Sequence, residues 1–183
     1  MVFMHYAVHP SKEIGEKYYR PWIGGAMESG WSVNPHWVAD LSIIKNHEIG
    51  NGVPEKVTCL DEWYYNMRFV EDREKVLDLF TAVPTRKNMH RYINMWNKNG
   101  VEGLGKQQTL MWGYERPEGG RGIGFVGGHY HHSWAVDGLR KAVLNAIVWT
   151  AGMKVPEEGV LSKSPTEEEL NVNLDKKGRV KRI

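Results

Sequence analysis

Cysteine is almost absent. Cys59 is the only one in the chain, so no disulfide can close within it. This suits a reducing compartment without requiring one. Long apolar runs are also missing, since none reaches the roughly eighteen residues that a membrane span needs. No signal peptide is visible at the start. Nor does one sign of charge dominate. Lys and Arg number 24 against 22 Asp and Glu, a formal net charge of +2. Basic residues crowd together only in KKGRVKR at 176–182, a run that reads as a solvated tail. Without a basic face, nucleic acid is not an expected partner. Without a spanning segment, neither is a membrane.

What is present supports a packed core. Apolar residues make up 41% of the 183 positions, enough for one α/β domain over 1–155 with a polar tail at 156–183. MVFMHYAV at 1–8 is apolar and β-prone and reads as a buried strand of a parallel sheet. Domains seldom open on a central strand, so the chain is expected to be the C-terminal part of a longer domain. The alternative is a short native N-terminus, and the compartment would be cytoplasmic if Met1 is that start and periplasmic or secreted if a signal precedes it.

Residues 9–25 read as a helix. Ser11 can cap it, and Ile14, Tyr18 and Trp22 supply a one-sided apolar stripe. Strands are expected at 37–44, 57–60 and 75–83. Two more, 107–116 and 120–128, are joined by the turn signal PEGG. The segment 85–100 reads as irregular or partly helical, with Met89, Ile93 and Trp96 on one face. Residues 136–152 form the clearest helix, with Gly152 as its stop. Strands flanked by helices point to a partly parallel sheet with a mixed edge.

In such sheets ligands bind at the carboxyl ends of strands. Polar clusters fall where three predicted strands stop: His5-Tyr6, Asp61-Glu62-Trp63-Tyr64, and His129-Tyr130-His131-His132. If those strands are parallel neighbours, one rim carries all three clusters. His129 follows Gly127-Gly128, where the backbone can turn sharply or approach a neighbour closely. His131 shares its face if the strand continues with a period of two, and His132 then points away. Glu62 can act as acid or base or ligate a metal. Asp61 fits better as a capping acid. Two histidines and a carboxylate form a known catalytic zinc set, which His129, Glu62 and His5 or His36 could supply. The same residues could transfer protons without a metal.

VFMHYAV, WIGG, WSVNPHW, DEWYYNMRF, WGYERPEGGRGIGFVGGHYHH and LRKAVLNAIVWTAG, in this order, resemble the trehalose-utilisation, or ThuA-like, family. The tail VPEEGVLSKSPTEEELNVNLD is similar to that family's ending. The resemblance covers nearly the whole chain. It implies a flavodoxin-like three-layer sandwich of the class I glutamine amidotransferase type, here lacking its N-terminal strands. In those amidotransferases a cysteine sits on a tight turn after a strand, where this sequence has His5. Cys59 lies inside a predicted strand and is a poor nucleophile, so glutaminase activity is not expected. Relatives often carry a histidine near the position of Gly30 or Trp31; this chain either lacks that contribution or replaces it with His36.

The resemblance further implies an enzyme of carbohydrate metabolism, an isomerase, lyase or hydrolase of trehalose or a related 3-keto disaccharide. His129 and Glu62 would work as acid and base, assisted by His5 and His131. Trp31, His36, Trp63 and Tyr64 would line the sugar. A divalent metal such as zinc on His129, Glu62 and His5 is the cofactor to consider. The alternatives are a non-catalytic sugar-binding or accessory domain and a metal-dependent hydrolase of another substrate. Missing strands would expose sheet edge, which favours a homo-oligomer.

Overall fold

The computed structural model describes residues 1–88 and 97–172 together with Leu174. The expected face of Met89, Ile93 and Trp96 and the basic run at 176–182 lie outside those residues. The fold is mixed α/β. Its strands are β1 (Val2–Met4), β2 (Gly25–Ala26), β3 (His36–Ile43), β4 (Lys56–Glu62), β5 (Arg68–Phe69), β6 (Val76–Ala82), β7 (Gln108–Glu115) and β8 (Arg121–Phe125). Six of them form one curled sheet in the order β1-β8-β7-β6-β3-β4, and β2 pairs with β5.

Only β1 and β8 pair in parallel; every other pairing in the sheet is antiparallel. The expected parallel character is therefore confined to one edge. The β7–β8 hairpin accounts for one of these pairs, since its connection at 116–120 is too short for a crossover. β1 is also not the buried strand expected. It has a single partner, and its three residues are half-buried or exposed.

Within strands the alternation read from sequence holds. β3 buries Trp37, Ala39, Leu41 and Ile43 and exposes Val38, Asp40 and Ser42, as a period of two requires. The first helical segment behaves differently. Ser11 Oγ caps α1 (Lys12–Ile14) by accepting from Ile14 N at 3.4 Å. A π turn at Gly15–Tyr19 follows, then α2 (Arg20–Ile23), ended by Gly24 at φ 82°. Ile14 and Trp22 remain 39% exposed, so the expected stripe does not pack. The wider π turn rotates the helix face, and Gly15 and Ile23 are buried instead.

Helices cover both sheet faces. A methyl group added at Gly122 would meet Trp22 O and Ile23 of α2, and one at Gly113 would meet Trp149. Trp149 belongs to α4 (Asp137–Thr150), and Gly113 pairs with Ile123, the neighbour of Gly122 on β8. Successive strand residues face opposite sides, so α2 and α4 lie on opposite faces. Trp37, Trp63, Trp112 and Trp149 are fully buried between these layers. Burying a side chain of this size contributes on the order of 3 kcal/mol. The indole N–H groups of Trp37, Trp63 and Trp112 donate to the carbonyls of Trp63, Cys59 and Ile23, so burial leaves them satisfied.

The polar tail is docked as far as Asn171. Val155 is fully buried, and Asn145 Oδ1 accepts from Val160 N at 2.8 Å. Arg140 Nε donates to Ser162 Oγ at 2.9 Å. The last helix, α5 (Glu167–Asn171), opens with a capping box of Thr166 and Glu169 and buries Leu170. Between β6 and β7 lies one further short helix, α3 (Lys98–Glu102). No helix among the described residues is long and apolar enough to cross a membrane.

Strand direction places the site. Following the pairings from one edge to the other, β1, β8, β6 and β4 run one way and β7 and β3 the other. The carboxyl ends of β1, β8 and β4 thus share a rim with the amino end of β3. β4 and β8 are not paired neighbours, contrary to the sequence expectation. They meet because β3 pairs with β6 only at Ser42↔Thr81 and Ile43↔Phe80. The open end of the β3–β4 hairpin is left free to curl over, and Trp63 reaches Phe125 with ring centroids 5.8 Å apart.

Candidate active site

Asp61 ties the end of β4 to the turn that follows β8. Its carboxylate is fully buried and accepts three backbone N–H groups. Oδ1 takes Glu62 N at 2.7 Å and His129 N at 3.0 Å, and Oδ2 takes Gly128 N at 2.8 Å. Asp61 serves backbone amides as the capping reading expects, but from inside β4 and toward a turn distant in sequence rather than as a helix cap. Both glycines before His129 are needed. A Cβ at Gly127 would lie 2.3 Å from the Trp63 ring, and Gly128 sits at φ 98°, a region that favours glycine.

Asp61 sets the next residue, Glu62, opposite two histidines. Glu62 Oε2 lies 3.0 Å from His129 Nδ1 and 3.3 Å from His5 Nε2, and those two nitrogens are 3.1 Å apart. Glu62 Oε1 accepts from Asn34 Nδ2 at 2.8 Å and faces His36 Nε2 at 3.9 Å. His36 Nδ1 is 2.7 Å from the Tyr130 hydroxyl. His5 takes its place through a strained turn, at φ 49° directly after β1. A non-glycine residue pays on the order of 1–3 kcal/mol for such backbone.

Proton bookkeeping constrains this group. His5 Nδ1 lies 3.1 Å from Val126 O. A carbonyl only accepts, so Nδ1 carries the hydrogen. In a neutral ring His5 Nε2 would then turn a lone pair toward the Glu62 carboxylate. The group closes with a proton on that nitrogen or with a cation between the three atoms. Among the described residues, His5, Glu62 and His129 form a set able to hold a metal ion, their ligand atoms all within 4.8 Å of one another.

Burial alone would lower the His5 pKa. The Glu62 hydrogen bond, the Val126 carbonyl and the charges of Glu62 and Asp61 outweigh it and raise the value above 6.5. Glu62 is the mirror case. Burial pushes it up, but hydrogen bonds from His5 and Asn34 and the charges of His129 and His5 bring it below 4.5. A raised histidine contributes stability below its unfolded pKa and loses it as pH rises through its folded value. A lowered carboxylate contributes above its unfolded pKa and loses it as pH falls through its folded value. The pair is therefore strongest between pH 4.5 and 6.5. The Tm gap between wild type and Glu62→Gln is expected to peak in that window and shrink on both sides. A gap that stays flat from about pH 4 to 9 would show that the pair is not coupled to folding.

The other expected site residues are arranged differently. His131 lies in a 3₁₀ turn at His131–Ala135, and its Nδ1 is 3.1 Å from Leu170 O of α5. β8 stops at Phe125, so the two-residue period that would have placed His131 beside His129 does not extend that far. Trp63 is fully buried and cannot line a sugar; its ring belongs to the core. Trp31 is 37% exposed, but its ring lies under the Arg68 guanidinium at 3.9 Å rather than against the histidines. Tyr64 does reach the group, with its ring 5.1 Å from that of His5. Cys59 is a buried strand residue, and burial pushes its thiol up to about 11. It holds almost no thiolate at neutral pH and is no nucleophile.

Asn34 and Tyr130 were not singled out from the sequence. Each lies within two residues of a nominated histidine, His36 or His129, and that proximity is the only signal that could have found them. Comparison of the chain with protein-family models, curated proteins and solved structures finds no match.

Proposed function

We propose that this chain is a ThuA-like enzyme of carbohydrate metabolism with a flavodoxin-like, amidotransferase-related core. Its substrate is trehalose or a related 3-keto disaccharide, and its chemistry is acid–base transfer by His129 and Glu62. One observation carries the reading. His5, Glu62 and His129 come from three separate elements and meet at 3.1, 3.3 and 3.0 Å on the sheet rim. The strained His5 turn after β1 supports the amidotransferase-like core, since that is the position of the cysteine in those enzymes.

Roles follow from exposure. The Glu62 side chain is 11% exposed and that of His129 is 35% exposed. His129 Nδ1 faces Glu62, while Nε2 makes no hydrogen bond among the described residues. Nε2 is thus the atom that can take a proton from, or return it to, a sugar hydroxyl or a carbon beside a carbonyl. Glu62 balances the imidazolium this creates, and Asn34 holds the carboxylate in place. His5 adds a second proton donor beside the same oxygen.

A second reading is a metal-dependent hydrolase of another substrate, favoured by the same triangle of donors. Tetrahedral zinc ligands at about 2.0–2.1 Å from the ion sit about 3.3 Å from each other, close to the separations of His5 Nε2, His129 Nδ1 and Glu62 Oε2. Val126 O holds the far nitrogen of His5, as partners outside the ligand shell commonly do. A divalent cation bound there would polarise a substrate oxygen and acidify a water.

Metal analysis of the purified chain, paired with turnover of a keto-disaccharide panel, separates the readings. Turnover without bound metal is the expected result. One equivalent of zinc, lost in His129→Ala, would establish the metal version. Sugar binding with neither metal nor turnover would overturn both in favour of an accessory domain.

A further inference from the structure

Tyr6 is 72% exposed, the most exposed large aromatic among the described residues. It directly follows His5, and the 3₁₀ turn His5–Val8 fixes its position, with His9 N donating to Tyr6 O at 3.1 Å. A run of ring contacts links it to the site. Tyr6 and His9 are 5.6 Å apart, His9 and Tyr64 6.3 Å, and Tyr64 and His5 5.1 Å.

We propose that Tyr6 and His9 form a subsite for a neutral pyranose ring, adjacent to the ring that reacts at His5, Glu62 and His129, with Tyr64 buried behind them at 2% exposure. The proposal rests on the sugar-processing reading above and deepens it by assigning a place to the second half of a disaccharide.

The chemistry around these rings selects the ligand class. An aromatic face with a polar rim suits a sugar, which presents C–H groups on one side and hydroxyls at its edge. His9 Nε2 lies 3.3 Å from Ser29 Oγ, a neutral polar pair at the rim. Burial keeps the Tyr64 phenol protonated, and its hydroxyl makes no hydrogen bond among the described residues. The nearby cations are already matched. Arg20 and Arg68 reach the buried Glu28 carboxylate at 3.1 Å each, and Lys12 reaches it at 3.7 Å. A phosphate or carboxylate ligand would therefore have to break an existing network, whereas an uncharged polyol would not.

The test compares trehalose with glucose by calorimetric titration of the full chain. Tyr6→Ala is expected to weaken trehalose binding about threefold to tenfold and leave glucose binding unchanged. Tyr6→Phe keeps the ring face and should keep wild-type affinity. Because Tyr6 is exposed, neither variant should shift Tm. Equal losses for both sugars, no loss for trehalose, or no sugar binding by wild type would overturn the subsite. The two proposals fail separately. Selective loss of trehalose binding without turnover of any panel sugar supports the subsite and removes the catalytic reading. Turnover of a disaccharide that Tyr6→Ala leaves untouched in both KM and kcat removes the subsite alone.

Discussion

Glu62→Gln should lower kcat on a keto-disaccharide by about 10²- to 10⁴-fold, the range spanned by a lost acid–base group. The change is nearly isosteric. The amide oxygen can still accept from Asn34, as Glu62 Oε1 now does at 2.8 Å. What disappears is the negative charge between His5 and His129. Without it the His129 imidazolium loses its counter-ion, and proton transfer at Nε2 becomes uphill. The amide nitrogen would instead donate toward the histidine lone pairs, locking them in the neutral form. KM should change much less than kcat, because Glu62 is mostly buried. Steady-state kinetics on wild type and Glu62→Gln measures this directly. A kcat within about threefold of wild type would take Glu62 out of the chemistry.

The largest effect on folding is expected at Asp61. Asp61→Ala should destabilise the chain by about 3 kcal/mol or more, since three N–H groups at a buried position lose their acceptor at once. Glu62, Gly128 and His129 supply those groups, so the same change releases the turn that presents His129. Asp61→Asn should cost roughly half as much. Its amide oxygen can keep the two bonds now made to Oδ1, but its nitrogen would face the Gly128 N–H, donor against donor. Urea unfolding of the three proteins gives the order. If Asp61→Ala costs less than about 1 kcal/mol, the carboxylate is not what holds the end of β4 to the turn after β8.

The sequence by itself determined much of the local structure and the parts list of the site. The PEGG hairpin, the helix over 137–150 and the alternation in β3 are short-range patterns, and each appears where the pattern puts it. His5, Glu62 and His129 were legible because polar residues at the end of an apolar strand have no packing reason to be there. Gly127-Gly128 was legible because two adjacent glycines imply backbone that other residues resist. Asp61 was legible as an acid that serves backbone amides, but not as the tie to a turn distant in sequence.

Only the tertiary structure decided which of these residues meet. Periodicity states which residues share a face within one element, and it says nothing about how a sheet curls. The curl brings residues 5, 62 and 129 together although β4 and β8 never pair. The same curl buries Trp63 and turns it from a sugar platform into core. His131 was lost to a similar cause, because β8 ended at Phe125 and a 3₁₀ turn replaced the period of two. Trp31 went to Arg68 and Asn34 to Glu62 through contacts between segments more than twenty residues apart. Such pairings depend on the path of the whole chain, and local composition does not record that path.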